Sequence, residues 1–190
     1  MTPVARPGEL IDCGDFVLRR WREREDFEAA LALIEESLEH LRPWETWVAG
    51  HDAERTRGFL ARSAVRWDEG EVFTYALAAG DGRLLGMCQA YRGAGPRGWR
   101  LGYWLHPAAT GRGFATRAAA ALAAEMFTLP GVEFVEISHD LANTASAAVP
   151  RRLGFTELGR GPAAPPVAPA GSGTEVVWRL DRPPSGPGAG

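Results

Sequence analysis

The segment TGRGFAT (110–116) has the composition of a phosphate-binding turn. It lies between a predicted strand and a predicted helix, and the first amides of a helix have no partner within the helix. Such amides carry partial positive charge and bind phosphate oxygens. Gly111 and Gly113 would let a pyrophosphate approach the backbone, while Thr116 would add a hydroxyl group and Arg112 a charge. A glycine turn that only redirects the chain is the alternative interpretation.

Two kinds of phosphate ligand fit this segment poorly. A P-loop requires Gly-Lys-Ser/Thr, and the chain has no lysine, since all 21 of its Lys and Arg residues are arginine. A dinucleotide-binding turn requires G-x-G-x-x-G after a strand-helix-strand start, with an acidic residue about 20 positions later. Gly111 and Gly113 match its first two glycines, and Glu133 and Glu136 follow, but Thr116 stands at the third glycine. The preceding strands are also predicted to form a hairpin, so a nicotinamide-dependent enzyme is disfavoured.

The single asparagine of the chain, Asn143, lies in a second segment of interest, ANTAS. Its amide can donate and accept hydrogen bonds at once, which suits an amide-bearing ligand arm between two splayed parallel strands. Asn143 is also placed to cap a helix, and capping alone is the simpler role. Phosphate contacts at one helix start and amide contacts after the next strand together describe coenzyme A.

The hydrophobic pattern predicts the elements that would position these two segments. The strand FVLRRW (16–21) precedes a helix over about 25–40 and a second helix capped by Asp52. Next come a hairpin, a further strand, a crossover helix, a strand parallel to its predecessor, a helix containing Pro150 and a closing hairpin. Their predicted ranges are 72–78, 84–91, 98–105, 114–128, 132–138, 144–153 and, for the last strand, 174–180. The prediction is a mixed α/β domain with a mostly antiparallel sheet, one splayed parallel strand pair and flanking helices.

Length and composition predict one domain over residues 15–180, with a flexible arm at 1–14 and a disordered tail at 181–190. No apolar run approaches the length of a membrane span, and Pro and Gly near the start argue against a signal peptide. Cys13 and Cys88 form neither a disulfide framework nor a metal quartet, which predicts a reduced, cytoplasmic protein without a metal. The net charge of −3 disfavours nucleic-acid binding.

Taken together, the segments resemble the GNAT superfamily of N-acetyltransferases, and within it the RimJ/RimL-like branch. LGYWLHPAATGRGFATRAAAAL is similar to the strand, loop and helix that bind acetyl-CoA in that family. ANTASAAVPRRLGF is similar to its downstream helix, and LRPWETW to the segment between its first two helices. The order of elements agrees over about residues 15–180. The resemblance implies acetyl-CoA as co-substrate, and a homodimer is compatible with it.

The resemblance implies roles for matching residues. The backbone of Leu105 would bind pantetheine, and its amide would donate to the acetyl carbonyl. Ser146 would lie near the sulfur and is the preferred proton donor to the departing thiolate. The full set implied for coenzyme A is Leu105, His106, Thr110, Gly111, Arg112, Gly113, Phe114, Ala115, Thr116, Asn143 and Ser146.

Several positions depart from the family pattern. Thr110 replaces a Gln or Arg, Arg100 and Arg117 stand where glutamates are common, and Pro150 occupies the place of an acid tyrosine. The usual general acid and base are therefore absent from their expected positions. His139 is the preferred catalytic base, and the other candidates are Asp140, His106, Glu36 and His40.

The acceptor pocket is predicted between the first two helices and the sheet. Its candidate residues are Trp44, Trp47, Tyr91, Trp104, Glu36 and His40. Aromatic walls suit an apolar, cationic or flat acceptor, and the acids Glu35, Glu36, Glu39 and Glu45 would suit a basic peptide. The predicted function is direct acetyl transfer from acetyl-CoA to a primary amine of a small molecule or of a peptide or protein N-terminus. The alternative is a GNAT-fold acyl-CoA-binding protein with little or no catalysis.

Overall fold

The computed structural model describes residues 5–93 and 95–184. Residues 1–4 of the predicted arm and 185–190 of the predicted tail lie outside the described residues. The helices are α1 (Phe27–Leu41), α2 (Ala53–Asp68), α3 (Phe114–Thr128) and α4 (Thr144–Arg152). The strands are β1 (Leu10–Asp12), β2 (Phe16–Arg20), β3 (Val72–Ala79), β4 (Leu84–Arg92), β5 (Gly98–Leu105), β6 (Phe134–Asp140), β7 (Thr156–Pro162) and β8 (Thr174–Asp181).

One eight-stranded sheet runs through the described part of the chain in the order β1-β2-β3-β4-β5-β6-β8-β7. Neighbouring strands are antiparallel except for β5 and β6, which are parallel and joined through α3. The mixed α/β fold with one parallel strand pair is therefore confirmed. None of the helices in the described ranges has the length and apolar character needed to cross a membrane.

The parallel pair separates at its carboxyl end. The register of β5 with β6 runs from Gly98↔Phe134 to Leu101↔Ile137. Beyond that point β5 stays paired with β4 as far as Leu105, and β6 stays paired with β8 as far as Asp140. Because each strand follows its outer neighbour, a gap opens between them, and crevices at the carboxyl ends of parallel strands are common ligand sites.

The two faces of the sheet carry different helices, and both helix layers meet the gap. α1 and α2 cover the face that includes Met87 and Trp104. α3 covers the opposite face, where Ala118, Ala119 and Leu122 are fully buried. The small side chains of α3 allow a close approach of helix and sheet. This packing fixes the N-terminus of α3 beside the end of β5.

The predicted elements are present, with differences at their ends. The sequence predicted no regular structure before residue 15, but Leu10–Asp12 forms an edge strand paired with β2. β6 begins at Phe134 rather than at 132, because the turn after α3 continues through Gly131, whose φ is 74°. The Asp52 cap is confirmed, since its carboxylate accepts from the backbone N–H of Arg55 at 2.8 Å.

Candidate functional site

The segment 111–116 forms a cradle of unpaired amides at the start of α3. Gly111 and Gly113 have φ values of 71° and 78°, a conformation that favours glycine. The first backbone bond of the helix is donated by Arg117 to the Gly113 carbonyl. Within the described residues, the amides of 111–116 donate to no protein acceptor, and they edge a cavity of about 650 Å³. We call it the donor cavity.

Arginines surround this cradle. Arg117 and Arg152 line the donor cavity. Arg117 pairs with Asp15 and lies over the ring of Phe114, 5.1 Å from its centroid, which holds its charge beside the turn. Backbone amides at a helix start, flanked by guanidinium groups, have the chemistry required to bind the phosphates of a nucleotide-like ligand.

The backbone of Leu105 faces the gap between β5 and β6. Leu105 stands opposite Gly86 of β4, and the next amide, that of His106, donates to the Leu85 carbonyl. In an antiparallel pair, residues that bond the partner strand alternate with residues whose N–H and C=O point away from it. His106 bonds β4, so its neighbour Leu105 is of the second kind. The amide and carbonyl of Leu105 are therefore directed toward the donor cavity, which Leu105 lines.

Asn143 and Ser146 line the opposite side of the gap. Asn143 caps α4, because its Oδ1 accepts from the Ser146 amide at 3.0 Å. Capping uses only the side-chain oxygen, so the amide nitrogen of Asn143 is left to donate into the cavity that it lines. The capping role and the ligand-binding role predicted for Asn143 are thus compatible in this geometry.

Tyr103 lies against Ser146, a neighbour that sequence analysis missed. The Tyr103 hydroxyl is 3.4 Å from Ser146 Oγ and 3.3 Å from the Ser146 carbonyl oxygen. Burial raises the pKa of Tyr103 to about 12, although the hydrogen bond with Ser146 acts in the opposite direction. The phenol therefore keeps its proton at neutral pH, beside the predicted position of the sulfur.

Pro150 explains why the Ser146 carbonyl is free to accept from tyrosine. Proline has no N–H, so Pro150 cannot bond the carbonyl four residues earlier in the helix. α4 nevertheless continues to Arg152, and the Tyr103 hydroxyl occupies the vacated carbonyl. Pro150 stands at the position where an acid tyrosine would be expected, and by leaving the Ser146 carbonyl unbonded within α4 it helps to hold Tyr103 at this site.

A second cavity, of about 440 Å³, opens on the other side of the gap, and we call it the central cavity. It shares Trp44, Glu45, Tyr103 and Ser146 with the donor cavity, so the two spaces are continuous. The predicted wall residues Trp44, Trp47, Tyr91 and Trp104 all line it. Trp104 is buried and also belongs to the core beneath α1 and α2.

Glu45 is the carboxylate shared by both cavities. Its side chain is half-buried and accepts from the Trp47 indole N–H at 2.9 Å. Burial raises the pKa of the Glu45 carboxyl, and the bond from Trp47 opposes that shift. A carboxylate with an elevated pKa at a cavity junction has the properties of a general base.

His139 is poorly suited to the role of base predicted for it. Its Nδ1 lies 2.8 Å from the Asp140 carbonyl oxygen, which can only accept, so Nδ1 carries the proton. Its Nε2 accepts from the Trp178 indole at 3.0 Å, and the ring is buried. No lone pair is left for an incoming amine unless the bond to Trp178 breaks. Asp140 is also unsuitable, because its carboxylate accepts from Ala142, Ser172 and Gly173.

Three predicted contacts have side chains outside both cavities. His106 Nε2 lies 3.1 Å from Glu36, and its Nδ1 accepts from the Ala108 amide. Arg112 lies over the Phe114 ring, 4.9 Å from its centroid. Together with His106 and Glu36 it lines a separate surface depression. The predictions that Glu36 lines the acceptor pocket and that the Arg112 side chain faces the ligand are therefore not supported. His40 lines the donor cavity rather than the central cavity, so its predicted place in the acceptor pocket is not supported either.

The other residues predicted to contact coenzyme A differ in whether their side chains are free to reach it. Thr116 and Ala115 line the donor cavity. The Thr110 hydroxyl donates to the Pro107 carbonyl at 2.8 Å, so Thr110 would contribute through its backbone. The Phe114 ring is buried against Phe16. No cluster of three or more His, Cys, Asp or Glu able to hold a metal is found in residues 5–93 and 95–184.

Comparisons with known proteins agree with this fold. The family model described as acetyltransferase (GNAT) domain matches residues 15–156. RimL, a ribosomal L7/L12 alpha-N-protein acetyltransferase solved with coenzyme A, superposes with a TM-score of 0.83 at 20% identity, over 91% of this chain and 98% of that one.

Two further solved structures share the fold. The microcin C7 self-immunity acetyltransferase MccE, solved with acetyl-CoA and AMP, gives a TM-score of 0.82 at 18% identity, over 96% of this chain and 100% of that one. RimJ of Mycobacterium smegmatis, solved with a CoA-disulfide, gives 0.77 at 23% identity, over 94% and 88%. A comparison with curated protein sequences gives no match.

Proposed function

The chain belongs to the acetyltransferase (GNAT) domain family, and on that basis we propose that it transfers the acetyl group of acetyl-CoA directly to a primary amine. The observation that carries the proposal is the splayed β5–β6 pair, whose gap ends at the amide cradle of residues 111–116. A small-molecule amine and a peptide or protein N-terminus are both acceptors of this type. The RimL and MccE likenesses support the proposal at the level of fold.

The donor side is proposed to bind acetyl-CoA through backbone groups. The amides of residues 111–116 bind its phosphates, with Arg152 adding positive charge. Leu105 bonds the pantetheine arm, and its amide donates to the thioester carbonyl oxygen, where negative charge develops during attack. The nitrogen of the Asn143 side chain donates to the same arm. Acetyl-CoA supplies an activated acetyl group, and the protein supplies position and charge.

The central cavity is proposed to deliver the acceptor amine. Glu45 accepts one proton as the nitrogen attacks, which leaves the amide product neutral. Positioning of the two reactants contributes to the rate in addition to this proton transfer.

The proton for the departing sulfur comes from the pair on the other side of the gap. Ser146 Oγ donates it and takes up in turn the single proton of the Tyr103 hydroxyl, which moves from the Ser146 carbonyl to the serine oxygen. The proton that Glu45 removed from the amine is lost to solvent, and a solvent proton restores the phenol, which closes the cycle. The 3.4 Å contact between the two hydroxyls is the basis of this assignment.

The experiment is thiol release from acetyl-CoA with a panel of primary amines that includes peptides and small molecules. We expect amine-dependent release by the wild-type chain and a lower kcat for the Tyr103→Phe variant. Tyr75→Phe is the matched control, because its buried hydroxyl bonds the Gly8 carbonyl away from the gap. Coenzyme A binding without release for any amine would favour the acyl-CoA-binding alternative, and absence of binding would refute both.

A further inference from the structure

A third space, which we call the outer pocket, opens between α1, α2 and the sheet. Its volume is about 550 Å³, and its aromatic walls include Trp47, Phe59 and Trp104. Its polar groups include Arg55, Arg62 and Gln89. The proposed transfer step uses neither Arg55 nor Arg62, and both lie outside the central cavity. The pocket is therefore free to recognise the part of the acceptor that lies beyond the amine.

Two arginines give this pocket its charge. Arg55, Phe59 and Arg62 recur at the spacing of one helix face, so α2 presents two guanidinium groups on either side of an aromatic ring. Neither arginine pairs with a carboxylate among the described residues, although Arg66 of the same helix pairs with Glu71. Arg55 donates one side-chain hydrogen bond, to the Ala49 carbonyl at 2.9 Å, and its other guanidinium N–H groups have no acceptor among the described residues.

The neighbouring titratable groups do not cancel that charge. Burial lowers the pKa of His51, which lines the pocket, and the carboxylates of Glu35 and Asp52 oppose the shift. His51 is then mainly neutral at pH 7. Glu35 and Asp52 act on His51, but neither belongs to the pocket wall.

The outer pocket is continuous with the site of transfer. Trp47, Met87, Gln89 and Trp104 line both it and the central cavity. Trp47 donates to Glu45, and its ring centroid lies 5.9 Å from that of Trp104. The two rings therefore form a wall that the connected spaces share. An acceptor with its amine at Glu45 can extend past Gln89 toward Arg55 and Arg62. The side-chain amide of Gln89 forms no hydrogen bond with the described protein groups and is available to that acceptor.

We propose that the acceptor is a primary amine carrying an acidic group, a carboxylate or a phosphate, that Arg55 and Arg62 bind in the outer pocket. This inference rests on the proposed function and specifies its substrate class. Guanidinium groups match both anions through paired hydrogen bonds. A basic peptide is disfavoured, because of the four acids that would suit one, Glu35, Glu36 and Glu39 do not line the outer or central cavity, and Glu45 lies at the site of transfer.

The first experiment compares kcat/KM for matched acceptors. One arm uses short peptides that differ only by Glu or Gln at the second, third or fourth position. The other arm uses an aminoalkyl phosphate and the corresponding amino alcohol, so the two arms distinguish a carboxylate from a phosphate. We expect the acidic member to be preferred about 10-fold in at least one arm, equivalent to one charge-assisted contact. Equal kcat/KM within every pair would overturn the inference.

The second experiment tests the arginines. Arg62→Gln should lower kcat/KM for the acidic member about 10-fold, toward the value for the neutral one, and so remove the preference. Arg57→Gln is the matched control, because this arginine of α2 lies over the Phe27 ring at 4.3 Å and does not line the pocket. An equal loss for both members of a pair, or a retained preference, would contradict the assignment.

A binding measurement separates this inference from the proposed function. Calorimetry with the Nα-acetylated acidic peptides, in the presence of coenzyme A, requires no turnover. Weaker binding to Arg62→Gln than to Arg57→Gln supports the outer pocket even if no amine is acetylated, in which case only the proposed function fails. Equal binding to the two variants would count against the pocket whether or not transfer occurs.

Discussion

Replacing Gly113 with alanine tests whether the turn before α3 binds phosphates as well as redirecting the chain. Gly113 has a φ of 78°, and a Cβ there would meet no protein atom within 4 Å. The substitution therefore causes backbone strain without a clash. Gly131, just beyond α3, is the matched control, since its φ is 74° and its Cβ would also meet nothing within 4 Å.

The two substitutions should cost similar folding energy but differ in ligand binding. A non-glycine residue in the left-handed region costs about 1–2 kcal/mol, so both variants should lose about that free energy of unfolding. Only Gly113→Ala introduces a methyl group beside the unpaired amides that line the donor cavity. Loss of one charge-assisted hydrogen bond there costs about 1.5–3 kcal/mol, which corresponds to roughly a 10- to 100-fold increase in the Kd of coenzyme A.

Denaturant unfolding gives the stability of each variant, and titration calorimetry gives its affinity for coenzyme A. We expect nearly equal midpoints for Gly113→Ala and Gly131→Ala, with weakened coenzyme binding in Gly113→Ala alone. Wild-type affinity in Gly113→Ala would refute the cradle. The same weakening in both variants would show that backbone strain, rather than the lost phosphate contact, is responsible.

Three other substitutions test the remaining groups. Tyr103→Phe should lower kcat about 100-fold with little change in KM, within the usual range for proton transfer, while Tyr75→Phe retains kcat; steady-state kinetics decides. For Glu45 the pKa is raised, so kcat/KM should fall as pH drops through that pKa, and Glu45→Gln should be slow at every pH, as a pH-rate profile would reveal. Desolvation raises the pKa of the Asp140 carboxyl, but four hydrogen bonds outweigh it and hold this pKa at about 2. The contribution of the carboxylate to the free energy of unfolding is therefore present above about pH 4 and is lost as pH falls toward 2. Asp140→Asn should unfold at lower denaturant concentration at pH 7 and lose that pH dependence; an unchanged midpoint would contradict it.

The fold was predictable because its elements have strong local signals. The apolar stripe of α3 and its small residues identify a helix packed closely on a sheet, and the glycine turn fixes its start at Phe114. The alternating β5 pattern identifies the strand. The edge strand β1 was missed because three residues, LID, carry too short a pattern to distinguish from a loop.

The chemistry was less predictable, because it depends on contacts between residues far apart in the sequence. Tyr103 reads as an ordinary inward-facing strand residue, and its partner Ser146 lies on α4. His139 reads as a free histidine after a strand, but Trp178 occupies its second nitrogen. Pro150 was a visible signal, since a proline within a helix leaves a carbonyl for another donor to occupy.

The acceptor side was the hardest to predict. Arg55 and Arg62 are exposed and read as the solvated face of an amphipathic helix; only the packing of α2 against α1 and β3 shows that they border a pocket. Glu45 appeared as one acid among several near the first helix. The loop that places it at the junction of two cavities has no periodic pattern that fixes its direction.

The most direct test of acetyl transfer is the mass of the acceptor after incubation with acetyl-CoA that carries a deuterated acetyl group. The labelled acetyl group should appear on a primary amine, in step with release of the coenzyme A thiol, and Gly113→Ala should require more acetyl-CoA to reach the same yield. Saturating coenzyme A binding without labelled product from any amine in the panel would contradict it.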